Sequence, residues 1–202
     1  MKITSPKREA RYRQLLDAAL KVFARDGIDA ASVADIAEAA GVAKGSVYLY
    51  FDSKEALAGD LVRHLFHYED DGPRLSDDPQ PLARILSFCD RQEQRAISFG
   101  EAAPVVLHMF GHIGKTEDDH MARGVRQLMH ETRFMIEVLV ASAQSRGLLP
   151  ASLDVKRAAA AIEAATFGAI HQRLAAPSIA DHANLKAAEV VKALLKGLGA
   201  KL

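Results

Sequence analysis

The stretch from residue 32 to residue 57, SVADIAEAAGVAKGSVYLYFDSKEAL, decides the fold of this 202-residue chain. It holds two short segments with helical spacing, and Gly41 lies between them, where the chain has to bend sharply. Two short helices joined by a tight turn that contains glycine predict a helix-turn-helix. Small and apolar residues flank the bend and would let the helices pack closely, namely Ala37, Ala40, Val42 and Val47.

The residues before this stretch predict a longer helix that packs against it. Apolar residues recur there every three or four positions, at Tyr12, Leu15, Leu16, Ala19, Leu20 and Phe23. The helix should end at Asp26-Gly27, because glycine can adopt the left-handed conformation that closes a helix. Ser32 is the expected N-cap of the second helix, and Asp35 can complete a capping box with it. The third helix is expected over residues 44–50.

The remainder of the chain also favours helices, and no strand pattern occurs in it. Asp52 or Ser53 should cap a fourth helix, and clusters of Asp and Pro over residues 70–81 predict a loop. The fold class is therefore all-α, with a three-helix head over residues 1–55 and a larger helical body over 56–202. In the body we expect helices over about 80–98, 102–112, 118–146, 154–175 and 183–198.

The helix-turn-helix predicts contacts with double-stranded DNA. In such motifs the N-terminal residues of the second helix enter the major groove and contact base edges. Lys44 can bind a phosphate or a guanine edge, Gly45 lets the backbone approach the DNA, and Ser46 suits either a base or a phosphate. Tyr50 and Lys54 suit phosphates, whereas Tyr48 could equally reach the groove or pack in the core, where Phe51 is expected. The predicted DNA-binding residues are Ser32, Val42, Ala43, Lys44, Gly45, Ser46, Tyr48, Leu49, Tyr50 and Lys54.

The charge distribution agrees with this prediction without proving it. The formal net charge is zero, yet the first 25 residues contain seven basic and two acidic side chains. A locally basic segment on a neutral protein is a typical electrostatic footprint for phosphates, although a solvated helix face has the same composition.

Other features restrict the class of protein. Cys89 is the single cysteine and lies among apolar residues, so it is expected to be a small buried side chain in a reducing cytosol. No signal peptide and no apolar stretch of about 18 residues occurs, so we expect a cytoplasmic protein without a membrane partner. Phosphate-binding glycine loops, GxSxG and HExxH motifs are absent, so neither an enzyme nor a cofactor is expected.

The residues of the motif closely resemble the DNA-binding head of the TetR family of bacterial transcriptional regulators. The family pattern stands here as Ser32-Val33, Ile36-Ala37, Ala40-Gly41-Val42, Gly45, Tyr48, Tyr50-Phe51, Lys54 and Leu57. The resemblance covers about 50 residues and departs from the pattern at two places. Ser32 replaces threonine and keeps the hydroxyl, whereas Ala43 replaces the serine that would cap the recognition helix, at a cost of about 1 kcal/mol.

The resemblance implies a homodimer that represses transcription from a near-palindromic operator and is released by a small-molecule effector. The last two helices of each chain would pair across a two-fold axis. The dimer residues that this implies are Ala158, Ala161, Ile162, Ala165, Ala169, Val191, Leu194, Leu195 and Leu198.

An effector pocket in the body is the least specific of these expectations. The residues we consider as its lining are Phe66, Phe88, His108, Met109, His112, Met129, Phe134 and Phe167. His108 and His112 have the spacing of metal ligands, but they lack further ligands and no metal site is predicted. Three alternatives remain open: an effector-independent regulator or activator of the same fold, a helical enzyme, and an adaptor that uses the dimer face.

Overall fold

The computed structural model describes residues 6–66, 74–111, 119–176, 178 and 186–202 of the chain. Helices dominate this described part and no strand occurs in it, which confirms the all-α prediction. The helices are α1 (Pro6–Asp26), α2 (Val33–Ala39), α3 (Lys44–Val47), α4 (Lys54–Phe66), α5 (Pro81–Ser98), α6 (Ala103–Phe110), α7 (His120–Ser145), α8 (Val155–Ala175) and α9 (Ala187–Gly197). Two short 3₁₀ turns lie at Leu75–Asp77 and Gly100–Ala102.

The chain divides into two compact units that each combine distant parts of the sequence. The first contains Met1–His67 and Phe99–Leu128, and the second contains Tyr68–Ser98 and Met129–Leu202. The head expected over residues 1–55 lies inside the first unit. The functional boundary after residue 55 stays a prediction.

Local signals in the sequence end α1 and α2 where expected. α1 stops at Asp26, and Gly27 follows with a φ of 81°, while Gly41 after α2 has a φ of 65°. The Ser32 hydroxyl accepts a hydrogen bond from the amide of Asp35, and the Asp35 carboxylate accepts one from the amide of Ser32. These bonds form the predicted capping box, and the hydrogen bonds from Ser32 hold the pKa of Asp35 below its ordinary value.

The core of the first unit holds the helix-turn-helix against α1. Leu15, Leu16 and Phe23 on α1 have no exposed surface, and Ile36 and Leu57 are equally buried. The expected burial of Phe51 is confirmed, and the ring of Tyr12 stacks on it with 5.1 Å between the centroids. The Tyr12 hydroxyl donates a 2.9 Å hydrogen bond to Asp60 on α4, and burial raises the pKa of Tyr12 well above its usual value. α1 and α4 are therefore joined behind the motif by polar and apolar contacts.

α4 and the first turns of α7 cross at two glycines with their backbones in contact. A Cβ atom added at Gly124 would lie 2.2 Å from the carbonyl oxygen of Gly59. One added at Gly59 would lie 2.4 Å from the carbonyl oxygen of His120. Only residues without a side chain fit at this crossing, which ties the α7 segment of the first unit to the fourth helix.

The second unit is organised around α5, α8 and α9. Cys89 on α5 is fully buried, as expected, and its Sγ lies 3.3 Å from the hydroxyl of Thr166 on α8. Burial raises the pKa of this thiol to about 11, so it is an inert core group rather than a reactive one. Glu93 joins the three helices, because its carboxylate accepts hydrogen bonds from Arg173 on α8 and from the amide of Ala187 at the start of α9.

Several expected boundaries differ from the structure. The third helix was expected to reach Tyr50 but ends at Val47, and residues 48–50 form turns. Of the loop expected over 70–81, residues 70–73 lie outside the described part of the chain, as do residues 183–185 of the last expected helix. Ser53, rather than Asp52, caps α4 through a 3.0 Å hydrogen bond from the amide of Ala56. No helix among the described residues has the length and apolar character needed to cross a bilayer.

Candidate DNA-binding site

The recognition segment, residues 44–50, presents an open outer face. Val47 is buried and anchors the segment to the core, whereas Lys44 and Gly45 are exposed. A Cβ atom added at Gly45 would meet nothing within 4 Å, so the backbone there is open to a large ligand. Leu49 is 73% exposed and Tyr48 47%, which places Tyr48 on the surface rather than in the core. Ser46 and Tyr50 in this segment are half-buried, and so is Val42, which precedes it.

The start of α3 lacks a side-chain cap, as the sequence predicted. Ala43 is the N-cap residue in an extended conformation, and its methyl group cannot accept a hydrogen bond. Only its carbonyl contributes, accepting a 2.8 Å bond from the amide of Ser46.

Replacing Ala43 by serine should therefore stabilise the free protein by about 1 kcal/mol, because the new hydroxyl can accept a hydrogen bond from an open amide of α3. Urea denaturation without DNA measures this change. Ala24→Ser, in the exposed interior of α1, is the matched control and should destabilise the protein slightly, by roughly 0.5 kcal/mol. Equal effects of the two substitutions would contradict the capping argument.

Lys54 has a different role from the expected one. Its ammonium group donates hydrogen bonds to the carbonyl oxygens of Ile28, Asp29 and Ala31, at 2.8, 2.9 and 3.0 Å. Because an ammonium group has three donors, these contacts use all of them. These contacts argue against the predicted phosphate contact of Lys54, which stays a prediction. In this structure the residue fastens the loop between α1 and α2 to the start of α4.

The substitution Lys54→Met should lower the free energy of unfolding by about 2 kcal/mol, since it removes the donors and keeps the aliphatic stem. Lys21→Met on the exposed side of α1 is the control, with an expected change within about 0.5 kcal/mol. The salt dependence of DNA binding provides a second measurement. A direct phosphate contact would lower the slope of log affinity against log salt by about one in Lys54→Met, and we expect no such change.

Ser32 serves mainly as a helix cap. Its hydroxyl donates a 2.6 Å hydrogen bond to the Asp35 carboxylate and also accepts one from the Asp35 amide. The residue is exposed, and its predicted contact with DNA stays a prediction.

Tyr50 is joined to the basic end of α1. The guanidinium carbon of Arg8 lies 5.4 Å from the centroid of the Tyr50 ring, within the range of a cation–π interaction. Lys7 and Arg11 are exposed on the same end of the helix. Sequence reasoning recognised the basic segment but missed the link to Tyr50, because nothing local pairs residues 42 positions apart. The contact places positive charge beside the recognition segment.

The residues considered for an effector pocket are divided between the two units. Phe66 and Met109 are buried in the first unit, where Phe66 makes edge-to-face contacts with Phe99 and Phe110 at 5.4 and 5.3 Å. Phe88 is buried in the second unit, Met129 and Phe167 are half-buried there, and Phe134 is 61% exposed. His108 is exposed, and His112 lies outside the described residues. Phe134 and His108 are thus surface side chains, and their place in a pocket lining stays a prediction.

The described residues contain no group of three or more His, Cys, Asp or Glu side chains that could hold a metal ion.

The residues considered for a dimer interface also separate into two groups. Ile162, Val191 and Leu195 have no exposed surface, and Ala158 and Ala169 are buried. These five side chains pack within the chain, which corrects their assignment to an interface between chains. The remaining candidates keep exposed surface, namely Ala161, Ala165, Leu194 and Leu198.

A helix-turn-helix with an open outer face beside a basic helix end defines a DNA-binding regulator. The family model described as "Bacterial regulatory proteins, tetR family" matches residues 15–61, which include α2, α3 and most of α1 and α4. ArpR of Pseudomonas putida, a probable HTH-type transcriptional regulator, is 30% identical over 172 residues, covering 83% of this chain and 82% of its own. The protein therefore belongs to the TetR family of transcriptional regulators.

Solved structures show the same fold along nearly the whole chain. The structure of the SmeT–triclosan complex has a TM-score of 0.73 at 18% identity and covers 93% of this chain and 91% of its own. FadR from Bacillus subtilis, in complex with stearoyl-CoA, has a TM-score of 0.65 at 20% identity. The match covers 93% of this chain and 97% of the FadR chain. The protein is a DNA-binding transcriptional regulator, and its relatives and structural neighbours are regulators rather than enzymes.

Proposed function

We propose that the protein is a homodimeric repressor that binds a near-palindromic operator and is released by a small-molecule effector. The observation that carries the proposal is the open face of the recognition segment, with Lys44, Gly45 and Leu49 exposed together. Ser46 and Tyr50 lie beside this face and can add hydrogen bonds to bases or phosphates. Such a face suits binding in the major groove. The described residues do not suggest an enzymatic reaction that this face could carry out.

The surface left by α8 and α9 supports a two-fold pairing of chains. Ala161 and Gly168 on α8 are exposed and small. Leu194 on α9 and Leu198 directly after it are half-exposed and apolar. Small residues allow helices to approach closely, and leucines supply apolar area for burial between them. In the resulting dimer, two recognition segments would reach successive major grooves about 34–36 Å apart. Sedimentation of the DNA-free protein tests the dimer directly.

A buried carboxyl group in the second unit supports the effector part of the proposal. Glu163 on α8 is 1% exposed, and one of its oxygens accepts hydrogen bonds from Arg133 on α7. Its other oxygen, Oε1, has no hydrogen-bond partner among the described residues. A hydrogen-bond donor on an effector would satisfy this oxygen, and the half-buried Phe167 one turn further along α8 would offer an apolar contact. Triclosan and stearoyl-CoA, the ligands of two structural neighbours, both carry large apolar parts.

The test of DNA recognition is a selection of random duplex DNA by the purified protein at two salt concentrations. We expect a palindrome to be enriched and its binding to weaken steeply with salt. Lys44→Ala with Tyr50→Ala should abolish the enrichment, whereas Lys156→Ala, an exposed lysine at the start of α8, should leave it unchanged. Salt-sensitive binding without an enriched sequence would contradict operator recognition.

The effector and the sign of regulation need a second experiment, on the selected operator. A repressor predicts lower transcription from a promoter that overlaps this operator, and an effector predicts recovery when an apolar compound with a hydrogen-bond donor is added. Recovery should be weaker for Glu163→Gln, which keeps the shape of the side chain. Higher transcription on addition of the protein would favour the alternative of an activator.

A further inference from the structure

The recognition segment is apolar at its most exposed point. Leu49 is 73% exposed, more than the other large apolar side chains on the described surface, which include Phe134 at 61% and Ile97 at 45%. A leucine in this position contributes nothing to the core, and its exposure to water brings no stability to the free protein. This apolar group is therefore free to contact what the segment binds.

The position of Leu49 follows from the anchoring of Val47. Successive residues of a helix are about 100° apart, so the residues two before and two after Val47 both lie nearly opposite to it. These residues are Gly45 and Leu49. The backbone keeps a helical turn over this part, since the amides of Tyr50 and Phe51 both donate hydrogen bonds to the carbonyl of Val47. Because Val47 points into the core, Gly45 and Leu49 form the outermost line of the segment.

Because Gly45 has no side chain, the Leu49 side chain projects beyond its neighbour on the same face of the segment. No heavy atom lies within 4 Å of a Cβ placed at Gly45, so the surface before Leu49 is low and open. A base pair that approaches the backbone at Gly45 would meet the Leu49 side chain on the same face, one turn further along. Lys44 is exposed at the start of the same segment and can hold a phosphate or a guanine edge.

The major groove offers one apolar feature on its base edges, the 5-methyl group of thymine. We propose that Leu49 reads a thymine in each operator half-site through contact with this methyl group. The proposal rests on the proposed function, because it requires that the recognition segment lies in the major groove. It adds an element of specificity that hydrogen bonds from Lys44 and Ser46 do not provide, namely the distinction of thymine from cytosine by shape and apolar contact.

The experiment removes the methyl group without changing base pairing. Each thymine of the operator selected by the unaltered protein is replaced in turn by deoxyuridine, at symmetric positions of the two half-sites. Because a buried methyl group contributes about 0.8 kcal/mol, one replacement should weaken binding about fourfold, and two symmetric replacements about tenfold to twentyfold. The loss should occur at one thymine position of each half-site.

Two variants show whether Leu49 makes the contact. Leu49→Ala should bind the thymine operator more weakly and lose most of its sensitivity to deoxyuridine, to below about twofold for the symmetric pair. Ile97→Ala, which removes an exposed apolar side chain from α5, should keep the full sensitivity. The slope of log affinity against log salt should be the same in Leu49→Ala as in the unaltered protein, because no phosphate contact is lost. Urea denaturation should also be unchanged, since the side chain is exposed.

The outcomes separate this proposal from the proposed function. If no palindrome is selected, the proposed function fails and Leu49 has no operator to read. If a palindrome is selected but deoxyuridine has no effect at any position, or weakens Leu49→Ala as much as the unaltered protein, only the thymine contact is overturned. A Leu49→Ala variant with unchanged affinity and unchanged sensitivity would point to a different occupant of this apolar face, such as another protein.

Discussion

Replacement of Gly124 by alanine should destabilise the protein by about 3 kcal/mol, at the upper end of the range for overpacking. The new Cβ would lie 2.2 Å from the carbonyl oxygen of Gly59 and 2.8 Å from its carbonyl carbon. Both are backbone atoms of α4, so the clash can be relieved only if a helix shifts. A shifted α4 would also strain the hydrogen bond between Tyr12 and Asp60 that joins it to α1.

The measurement is urea denaturation of the DNA-free protein, followed by titration with the selected operator. Gly111→Ala is a suitable control, because Gly111 has an ordinary right-handed helical conformation and a Cβ there would meet nothing within 4 Å. We expect it to be neutral or to stabilise by up to about 0.5 kcal/mol. A Gly124→Ala protein as stable as the unaltered one would show that the two backbones do not touch at this crossing.

Replacement of Glu93 by alanine should destabilise the second unit by about 3–5 kcal/mol, because it removes a buried carboxylate that accepts hydrogen bonds from two other helices. Glu93 is 3% exposed, and its carboxylate accepts hydrogen bonds from Arg173 Nε at 3.2 Å and from the Ala187 amide at 2.7 Å. The substitution removes both acceptors at once. It also removes a negative charge from the N-terminus of α9, where the helix dipole favours one.

An exposed carboxylate on the same helix provides the control for Glu93. Glu189 lies in the first turn of α9, is exposed, and has Lys192 at 3.6 Å. Glu189→Ala should cost less than about 1 kcal/mol, as surface ion pairs do. Denaturation and sedimentation of both variants would show whether a loosened α9 also lowers the stability of the proposed dimer. Equal, small losses in the two variants would contradict the anchoring role of Glu93.

The helix-turn-helix could be predicted because its signals are local. The spacing of apolar residues, the serine cap with Asp35 three positions later, and the glycines at 27 and 41 each act within one or two turns of helix. The missing cap at Ala43 was predictable for the same reason. The end of α3 could not be predicted, because the amides of Tyr50 and Phe51 still donate hydrogen bonds to Val47 although residues 48–50 form turns. Residue propensities do not distinguish such turns from a further turn of helix.

Contacts between distant residues could not be predicted from the same signals. A lysine beside a DNA-binding motif suits a phosphate by its charge, and only the folded chain shows that Lys54 instead meets the carbonyls of the preceding loop. The link between Arg8 and Tyr50 and the bond from Ala187 to Glu93 are of the same kind. Glu163 was missed because its importance lies in its burial, and a glutamate on a helix is usually exposed.

Residue type alone also failed to separate surface from core in the body. Apolar side chains fill cores, pockets and interfaces alike, so a list chosen by composition includes members of each. Phe88 and Met109 proved to be buried, whereas Phe134 is on the surface. In the same way, the apolar stripe of α9 turned out to face its own chain at Val191 and Leu195, and to leave Leu194 and Leu198 partly exposed.

The glycine crossing of α4 and α7 has a consequence for building hybrid regulators. A graft that transfers α1 to α4, residues 6–66, without residues 99–128 would bring Gly59 of α4 against a foreign helix, and a side chain at the position of Gly124 would clash with the backbone there. The transferable module is the pair of segments Met1–His67 and Phe99–Leu128, inserted together. A recipient that carries glycine at the position facing residue 59 would accept the shorter graft, so the choice of scaffold can be made by inspecting one residue.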